Sequence, residues 1–324
     1  MNSPHKLHPL RAGLIAIARW FDSDAGAEAL AADTRTGVDW LRVLPFLALH
    51  LLCFAVIWVG WSVTAVTVAA GMYVVRMLAI TGGYHRYFCH RAYRTSRAWQ
   101  LVIAVLGNMA AQRGPLWWAA HHRHHHRHVE KPQDVHSPIQ HGFWWSHIFW
   151  LTTRQAFATD YSYVQDWVKY PELRFLNRFS NLVPVLTVAA LYALGAALAA
   201  WAPSLGTNGP QMVIWGFVIS TVVLYHATFT INSLDHLVGR RRFDTPDNSR
   251  NNWALAVLTF GEGWHNNHHR FPGSARQGLA WYELDLTWWV LRGLAATGLI
   301  RDLKPLPAGA RAHRPPAPGR QGRP

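Results

Sequence analysis

Residues 43–80 read VLPFLALHLLCFAVIWVGWSVTAVTVAAGMYVVRMLAI, an almost continuous apolar run of 38 positions. A membrane-spanning helix needs about 20 such residues, so the run is too long for one span and fits two that turn near Gly60. Each half rises about 27 Å, which crosses the hydrocarbon layer with little tilt. Arg76 interrupts the run, and we expect its side chain to extend toward the lipid headgroups. The stretch therefore predicts a helical hairpin in a membrane, with spans at 43–61 and 63–81.

Two further apolar runs, at 182–201 and 211–231, are each long enough to cross a bilayer. The linker at 202–210 carries no charge and is rich in Gly and Pro, which favours a tight turn. The stretch at 98–111 is too short to span and indicates an interfacial or buried helix, and the one at 284–300 suits a helix on the membrane surface. The sequence therefore predicts four spans in two hairpins.

The chain of 324 residues is half hydrophobic and strongly basic, with a formal net charge of +14. A basic balance often signals nucleic acid, but beside membrane spans it fits loops that face anionic lipid, so no nucleic-acid partner is expected. Lys and Arg are absent from 43–75 and from 179–239, which include both hairpin tips. By the positive-inside rule, both termini then face the cytoplasm and the tips lie on the opposite side.

Histidines are concentrated in three short clusters. The densest is WWAAHHRHHHRH at 117–128, in which six of twelve residues are histidine. Within it, His122 is followed by histidines three and four positions later, and His265 begins the same spacing near the C-terminus. On a helix of 3.6 residues per turn, such side chains project from one face and can converge on a metal ion. His85 and His90 are five apart, roughly 140° around a straight helix, which suits a helix end or two neighbouring ions.

The number and kind of these side chains indicate a metal centre rather than a solvated basic patch. Imidazole suits iron, zinc, copper or nickel rather than magnesium or calcium. Glu130, Asp134 and Glu262 are the carboxylates close to the clusters, so the Glu-x-x-His pattern of soluble di-iron bundles is missing. We expect Glu130 and Asp134 to orient ligand imidazoles rather than bind the metal. Nine or more ligands exceed the capacity of one ion, so two ions are expected.

The same residues resemble the three histidine boxes of the membrane fatty-acid desaturase family. The boxes are HRYFCH at 85–90, HRHHH at 122–126 and HNNHH at 265–269, and they follow the order of the family. Their contexts, TGGYHR and GEGWHNNHH, and NSLDH at 232–236 are similar to the acyl-CoA (stearoyl-CoA-like, delta-9) desaturase branch. The resemblance covers about residues 40–300. It implies an oxidoreductase that uses two iron ions and O2 to remove two hydrogens from an acyl chain.

The resemblance also implies the metal ligands, and no catalytic residue beyond them. It makes His236 a ninth histidine ligand and Asn232 a ligand through water, whereas Cys89, inside the first box, is a spacer. From spacing alone, Asn232 is better interpreted as a polar residue at a helix C-terminus. The implied ligands are His85, His90, His122, His125, His126, Asn232, His236, His265, His268 and His269.

The function implied by the resemblance is the introduction of a cis double bond, at delta-9 by family default, into a saturated acyl chain for fatty-acid and lipid biosynthesis. Acyl-CoA is the expected carrier. Residues 113–120, RGPLWWAA, are mostly apolar where the animal acyl-CoA branch has polar and charged residues that hold the CoA headgroup, so phospholipid and carrier-protein esters stay open. A di-iron fatty-acid hydroxylase or alkane monooxygenase is the main alternative. A histidine-rich metal transporter is disfavoured because the spans carry few ionisable residues.

Electrons for such a reaction are expected from another protein, because the sequence holds no Walker, Rossmann or haem-domain signature. The expected donor is a ferredoxin-, rubredoxin- or b-type-cytochrome-like protein that works with its own reductase. The other expected partners are the fatty acyl substrate and the lipid bilayer.

Together these features predict an all-α membrane protein with four transmembrane helices in two hairpins and a helical cytoplasmic cap that holds a histidine-ligated di-iron site. Three segments are expected, a cytoplasmic N-terminal segment at 1–42, a desaturase domain at 43–302 and a disordered basic tail at 303–324. The expected location is a bacterial inner membrane, which the protein crosses several times, with the histidine boxes on the cytoplasmic side.

The orientation can be tested with two reporter fusions. A reporter after Pro324 is expected on the cytoplasmic side and one inserted near Gly206 on the opposite side, because basic loops stay inside. Protease protection of each reporter gives its side of the membrane. Both reporters on one side would contradict the arrangement of four spans.

Overall fold

The computed structural model describes residues 9–25 and 37–308, and these are mostly helical. The α-helices are Pro9–Ala18, Trp40–Leu52, Val56–Val59, Val63–Leu78, Arg97–Asn108, Pro115–His128, Pro138–His141, Phe143–His147, Gln165–Val168, Pro171–Arg178, Leu182–Trp201, Gly209–Val213, Ser220–Ser233, Trp253–Leu258, His265–Arg270 and Leu286–Ala296. Short 3-10 turns occur at Cys53–Ala55, Phe149–Thr152, Gln155–Phe157, Tyr161–Val164, Pro203–Leu205 and Leu234–His236. Two segments, Ala79–Cys89 and Ile214–Ile219, are π-helical. The strands Arg94–Thr95 and Ile300–Arg301 form one short antiparallel pair, so the predicted all-α class is confirmed.

Four helical runs are long and apolar enough to cross a membrane. They are Trp40–Val59, Val63–Cys89, Leu182–Trp201 and Gly209–His236, so the prediction of four spans is confirmed. The second and fourth runs continue beyond the predicted ends at residues 81 and 231. The extra turns carry two of the predicted histidine ligands, His85 in the second run and His236 in the fourth.

The chain divides into two compact units, of which the first comprises residues 1–76, 104–121 and 149–225. The core that it builds from the third and fourth spans consists of Leu191, Met212, Ile214, Phe217 and Val218. Gly195 permits close packing here, because a side chain at this position would collide with the Asn208 carbonyl and with Met212. Large apolar side chains on the other faces, such as Trp58 and Trp201, are exposed, as lipid-facing residues of a span should be.

The tips of the two hairpins are joined by hydrogen bonds within the first unit. The Ser62 hydroxyl donates to Gln211 Oε1 at 2.7 Å, and Gln211 Nε2 donates to the Val59 carbonyl at 3.0 Å. The Trp215 indole donates to the carbonyl of Gly60, where the chain turns with a φ of 66°. These bonds satisfy backbone and side-chain groups that the turn at Gly60 leaves outside regular helix.

Arg76 is buried, so the prediction that it extends to the headgroups is wrong. Its guanidinium group donates to the Thr221 hydroxyl at 2.6 Å and to the Ser220 hydroxyl, and its Nε donates to the Met72 carbonyl at 3.0 Å. Hydroxyl groups of the fourth span thus satisfy the charged donors inside the protein. Ionisable groups in spans usually face such an interior rather than lipid.

The second unit comprises residues 77–103, 122–148 and 226–324. Lys304 donates its N–H to the Ala92 carbonyl at 2.8 Å and accepts from the Ala275 N–H at 3.0 Å, and Leu306 packs against Phe243. The predicted tail is therefore attached to this unit as far as it is described, up to residue 308. The rest of that tail, at 309–324, and the N-terminal residues at 1–8 and 26–36 lie outside the described part of the chain.

A matched pair of glycine substitutions tests the packing of the third span. Gly195→Ala should destabilise the protein by about 1–3 kcal/mol, because the added methyl group has no room. Gly293→Ala, in a helix where nothing lies within 4 Å of the new methyl group, should be neutral or stabilise by about 0.5–1 kcal/mol. Thermal unfolding of the detergent-solubilised variants measures both effects. Equal melting temperatures for the two variants would show that the helix contact at Gly195 is not tight.

Candidate metal centre

The nine histidines predicted as ligands lie together within the second unit and form two groups. Within each group the potential ligand nitrogens all lie within 4.8 Å of one another. The first group consists of His85, His90, His122, His126 and His268. The second group consists of His125, His236, His265 and His269.

The π-helical segment Ala79–Cys89 explains how both histidines of the first box reach one group. Its wider turn pairs residues five apart, and the His90 N–H donates to the His85 carbonyl at 3.3 Å. In this wider helix, His85 and His90 are about one turn apart and lie on the same face, whereas a straight α-helix would place them on different faces. Their Nε2 atoms are 3.1 Å apart. The predicted helix end is present, because His90 follows the last residue of the segment, and both rings belong to the first group.

The other two boxes differ from the expectation that three histidines of one face converge on one ion. In the helix Pro115–His128, His122 and His126 join the first group and His125 joins the second. In the helix His265–Arg270, His265 and His269 belong to the second group and His268 belongs to the first. Around the helix axis, residue i+4 is rotated by about 40° from residue i, whereas residue i+3 is rotated by about 60° in the opposite direction. One face of the helix can therefore supply side chains to two neighbouring groups.

Within the first group the Nε2 atoms face one another at close range. The distance is 2.8 Å from His90 to His122, 3.1 Å from His85 to His268 and 3.0 Å from His268 to His126. In the second group, the Nε2 atoms of His265 and His236 are 3.1 Å apart.

Four carboxylates accept hydrogen bonds from the Nδ1 atoms of histidines in these groups. An ionised carboxylate can only accept, so each of these rings carries its proton on Nδ1 and presents the Nε2 lone pair. The pairs are His85 with Glu262 at 2.5 Å, and His125 with Asp134, His236 with Glu130 and His269 with Asp247, each at 3.0 Å. The predicted orienting contacts of Glu130 and Asp134 are thus present.

Burial opposes the protonation of several of these imidazoles. It holds the pKa of five rings well below the ordinary value, with neighbouring imidazoles adding to the effect; these are His90, His122, His126, His265 and His268. Burial also lowers the pKa of His125 to about 3 although Asp134 opposes the shift. Burial alone would raise the pKa of Asp134 and Asp247, but the histidines that they contact lower it below the ordinary value. These six rings therefore stay in the neutral form that binds metal.

A buried ion network fixes Glu262 against the first group. Arg86 Nη2 lies 3.2 Å from Glu262 and 2.8 Å from Asp285, and Arg86 Nη1 donates to the Ala275 carbonyl at 2.8 Å. Gln277 Nε2 also donates to Glu262, at 3.1 Å. Contacts with His85 and Arg86 lower the pKa of Glu262, although burial alone would raise it. The carboxylate that orients His85 is thereby kept ionised and in place.

The end of the fourth span is fastened by the helix Phe143–His147. The Ser146 hydroxyl donates to the Asn232 carbonyl at 2.8 Å, and His147 Nδ1 lies 2.9 Å from the Ser233 hydroxyl. This fixes the turn that leads from Asn232 to His236. The water-mediated ligand role of Asn232 stays a prediction.

Sequence reasoning missed several residues around the two groups. Asp247 lies in a loop between helices, where no regular spacing indicates a role. Arg86 and Asp285 form an ion pair between segments that are far apart in the sequence, so no local sequence pattern predicts their contact. His136 lies with His125 and Asp134 in a third buried cluster. His121, His124 and His128 lie outside both groups, as expected for histidines on the other faces of their helix.

The donor set fits bound metal ions. Nitrogen ligands about 2.0–2.1 Å from one ion are themselves roughly 3 Å apart, which matches the spacing of the Nε2 atoms. Neutral lone pairs packed this closely repel one another unless a cation lies between them. His269 Nε2 is buried without a hydrogen-bond partner in the described structure, and buried polar atoms rarely remain unsatisfied. Neutral imidazole suits iron, zinc, copper or nickel.

The family model for fatty acid desaturases matches residues 57–302, which include the two groups. The chain belongs to the fatty acid desaturase family. The resemblance stated from the boxes is thus confirmed, and the desaturase is an oxidoreductase of lipid metabolism with four helices that could span a membrane.

Three relatives show the range of proteins to which the desaturase is similar. It is 38% identical, over 86% of its length, to a chloroplastic palmitoyl-monogalactosyldiacylglycerol delta-7 desaturase of Arabidopsis thaliana, of which 71% is covered. It is 38% identical, over 85% of its length, to an sn-1 stearoyl-lipid 9-desaturase of Anabaena variabilis, of which 97% is covered. An acyl-CoA 5-desaturase of Anemone leveillei is 37% identical over 82% of the chain, with 79% of that protein covered.

Replacing one ring tests the metal centre. His268→Ala removes an Nε2 atom that contacts both His85 and His126, so the first group should lose its ion and bound iron should fall from about two to about one per chain. His141→Ala, an exposed ring outside both groups, should retain the parental content. Elemental analysis of the purified proteins gives the ratio. Unchanged iron in the His268 variant would remove this residue from the ligand set.

Proposed function

We propose that the desaturase introduces a cis double bond, at delta-9, into a saturated acyl chain that is esterified to CoA or to a membrane lipid. The observation that carries this proposal is the convergence of nine imidazoles, all buried or half-buried, in two groups. The names of the relatives favour acyl esters as substrates, with both lipid and CoA carriers among them. Position 9 is the family default and also the position named for the Anabaena relative.

Two iron ions are the proposed metal, one for each group, and bound iron with O2 would supply the oxidising power that unactivated C–H bonds require. The proposed ligands are the nine histidines, with Asn232 acting through water. Two hydrogen atoms leave the acyl chain, and O2 is reduced to two waters with these hydrogens, two electrons from a separate donor protein and two protons from solution. We propose a ferredoxin-, rubredoxin- or b-type-cytochrome-like donor with its reductase.

The residues of the chain prepare the site before any substrate arrives. Glu130, Asp134, Asp247 and Glu262 hold protons on the Nδ1 atoms, so every oriented ring offers its Nε2 lone pair. Burial of the rings keeps bulk water from the centre, which limits side reactions.

The proposed arrangement in the membrane follows the distribution of charge. Uncharged tips at Gly60 and Gly206 would face away from the cytoplasm, and the basic segments with the histidine boxes would face it. The proposed catalytic domain is residues 43–302, in a bacterial inner membrane.

The product of the enzyme tests the proposed function. We expect a host that expresses the chain with a compatible electron donor to gain a monounsaturated acyl chain with the double bond between carbons 9 and 10. Gas chromatography with mass spectrometry of derivatised fatty acids gives the position and geometry of the bond. The His268→Ala variant should form no such product.

The same measurement separates the alternatives. Hydroxylated fatty acids as the main product would favour a hydroxylase. A new double bond at carbon 5 or 7 would retain desaturation and exclude the proposed position. An unchanged profile with iron-loaded enzyme and active donor would overturn the proposal.

A further inference from the structure

Large apolar side chains of the second unit are exposed on segments that continue from the fourth span. The span ends at His236, and the next two residues, Leu237 and Val238, are both exposed. Such side chains are mostly buried in soluble domains, and a wide exposed patch of them marks a surface that meets another apolar phase. Apolar exposure therefore continues beyond the last turn of the span.

The helix Trp253–Leu258 begins beside this point. The main chains of Arg240 and Asn251 pair in both directions, because the Arg240 N–H donates to the Asn251 carbonyl at 2.9 Å and the Asn251 N–H donates to the Arg240 carbonyl at 2.7 Å. The side chain of the next residue, Asn252, accepts from two N–H groups in the first turn of the helix. These bonds hold the start of the helix four to five residues of chain away from the end of the span.

The exposed side of this helix is apolar. Trp253 is 71% exposed, and Val257, four positions later on the same face, is exposed as well. A second helix, Leu286–Ala296, is attached where the first one ends, since the Thr287 N–H donates to the Phe260 carbonyl at 3.0 Å. The two helices are therefore neighbours within the second unit.

The helix Leu286–Ala296 has one buried and one exposed side. Thr287 and Leu291, four positions apart, are buried. Leu286 and Trp289, three positions apart, are exposed, and for Trp289 the exposed fraction is 57%. Residues three and four apart project from the same side of an α-helix, so these two side chains form one apolar face.

The charged residues on these segments are few and all basic. Segments 237–240, 253–258 and 286–296 contain Arg240 and Arg292 and no Asp, Glu or Lys. The guanidinium carbon of Arg292 is 5.6 Å from the ring centroid of Trp289, as expected where a cation extends from an apolar layer to the headgroups. Tryptophan together with arginine is typical of a surface in contact with anionic lipid.

We propose that these exposed side chains form an aromatic surface that lies in the interfacial layer of the bilayer. Lipid is its occupant, because the surface begins where a membrane span ends and carries no negative charge. The sequence predicted only the stretch at 284–300 on the membrane surface, and the structure adds the helix Trp253–Leu258 and connects both to the end of the fourth span. The proposal goes beyond the proposed function, since it holds whatever product the desaturase forms. The residues of the aromatic surface are Leu237, Val238, Trp253, Val257, Leu286 and Trp289.

Spin labels measure the depth of the aromatic surface. Nitroxide labels are attached to Val257→Cys and Trp289→Cys in a Cys53→Ala background, in which the remaining cysteine, Cys89, is buried. The protein is placed in nanodiscs that hold one chain each and contain phosphatidylglycerol. Collisions with O2 should exceed those with a water-soluble nickel chelate at least about threefold at both positions, because hydrocarbon favours apolar O2 and excludes the polar chelate. Arg94→Cys, at a side chain that is 77% exposed, is the control and should show the opposite preference.

Each outcome decides the question. A preference for the nickel chelate at either position would place the aromatic surface in water and overturn the proposal. Low collision rates with both reagents would mean that protein covers the surface, and would overturn it too. Iron per chain equal to that of the parent shows that a labelled variant is folded, and Leu286→Cys replaces Trp289→Cys if the latter fails this check. The absence of a desaturated product would refute the proposed function and leave the collision rates unchanged.

Discussion

Nine imidazole rings face one another in the second unit, and rings this close can share a metal ion only where they present lone pairs to it. Burial disfavours the charged form, and four carboxylates hold the proton on the far side of the ring. A ring with the opposite tautomer would point an N–H at its neighbours and displace an ion. The buried network of Arg86 and Asp285, with Gln277, holds one of these carboxylates, Glu262, in place.

Helix geometry sets the division of the rings. On a straight α-helix, steps of three and four residues fall on opposite sides of one line, and the three histidines of the second box and those of the third divide between the two groups accordingly. Two such helices, Pro115–His128 and His265–Arg270, therefore supply rings to two neighbouring centres. The π-helical segment adds the two rings of the first box to one side. His236, at the end of the fourth span, completes the second group.

The sequence predicted features that depend on short segments. Four spans follow from apolar length, and the site follows from histidines at helical spacing beside them. Features that depend on distant partners were not predictable in this way. Arg76 was expected in the headgroups because Ser220 and Thr221, which accept from it, are more than 140 residues away. The contact of Asp247 with His269 was not predicted, because Asp247 is not part of a helical repeat of functional residues. How the histidines of one box divide between the two groups depends on the relative positions of two helices. The spacing of histidines along one helix does not give these positions.

The hydrogen bonds that join the hairpin tips have a consequence for biogenesis. Gln211 satisfies Ser62 and the Val59 carbonyl across a separation of about 150 residues. When the first hairpin leaves the ribosome, the residue that completes its turn has not yet been synthesised. The two hairpins can thus become one assembly only late in translation, and a nascent chain arrested before the fourth span would present an unfinished tip to cellular quality control.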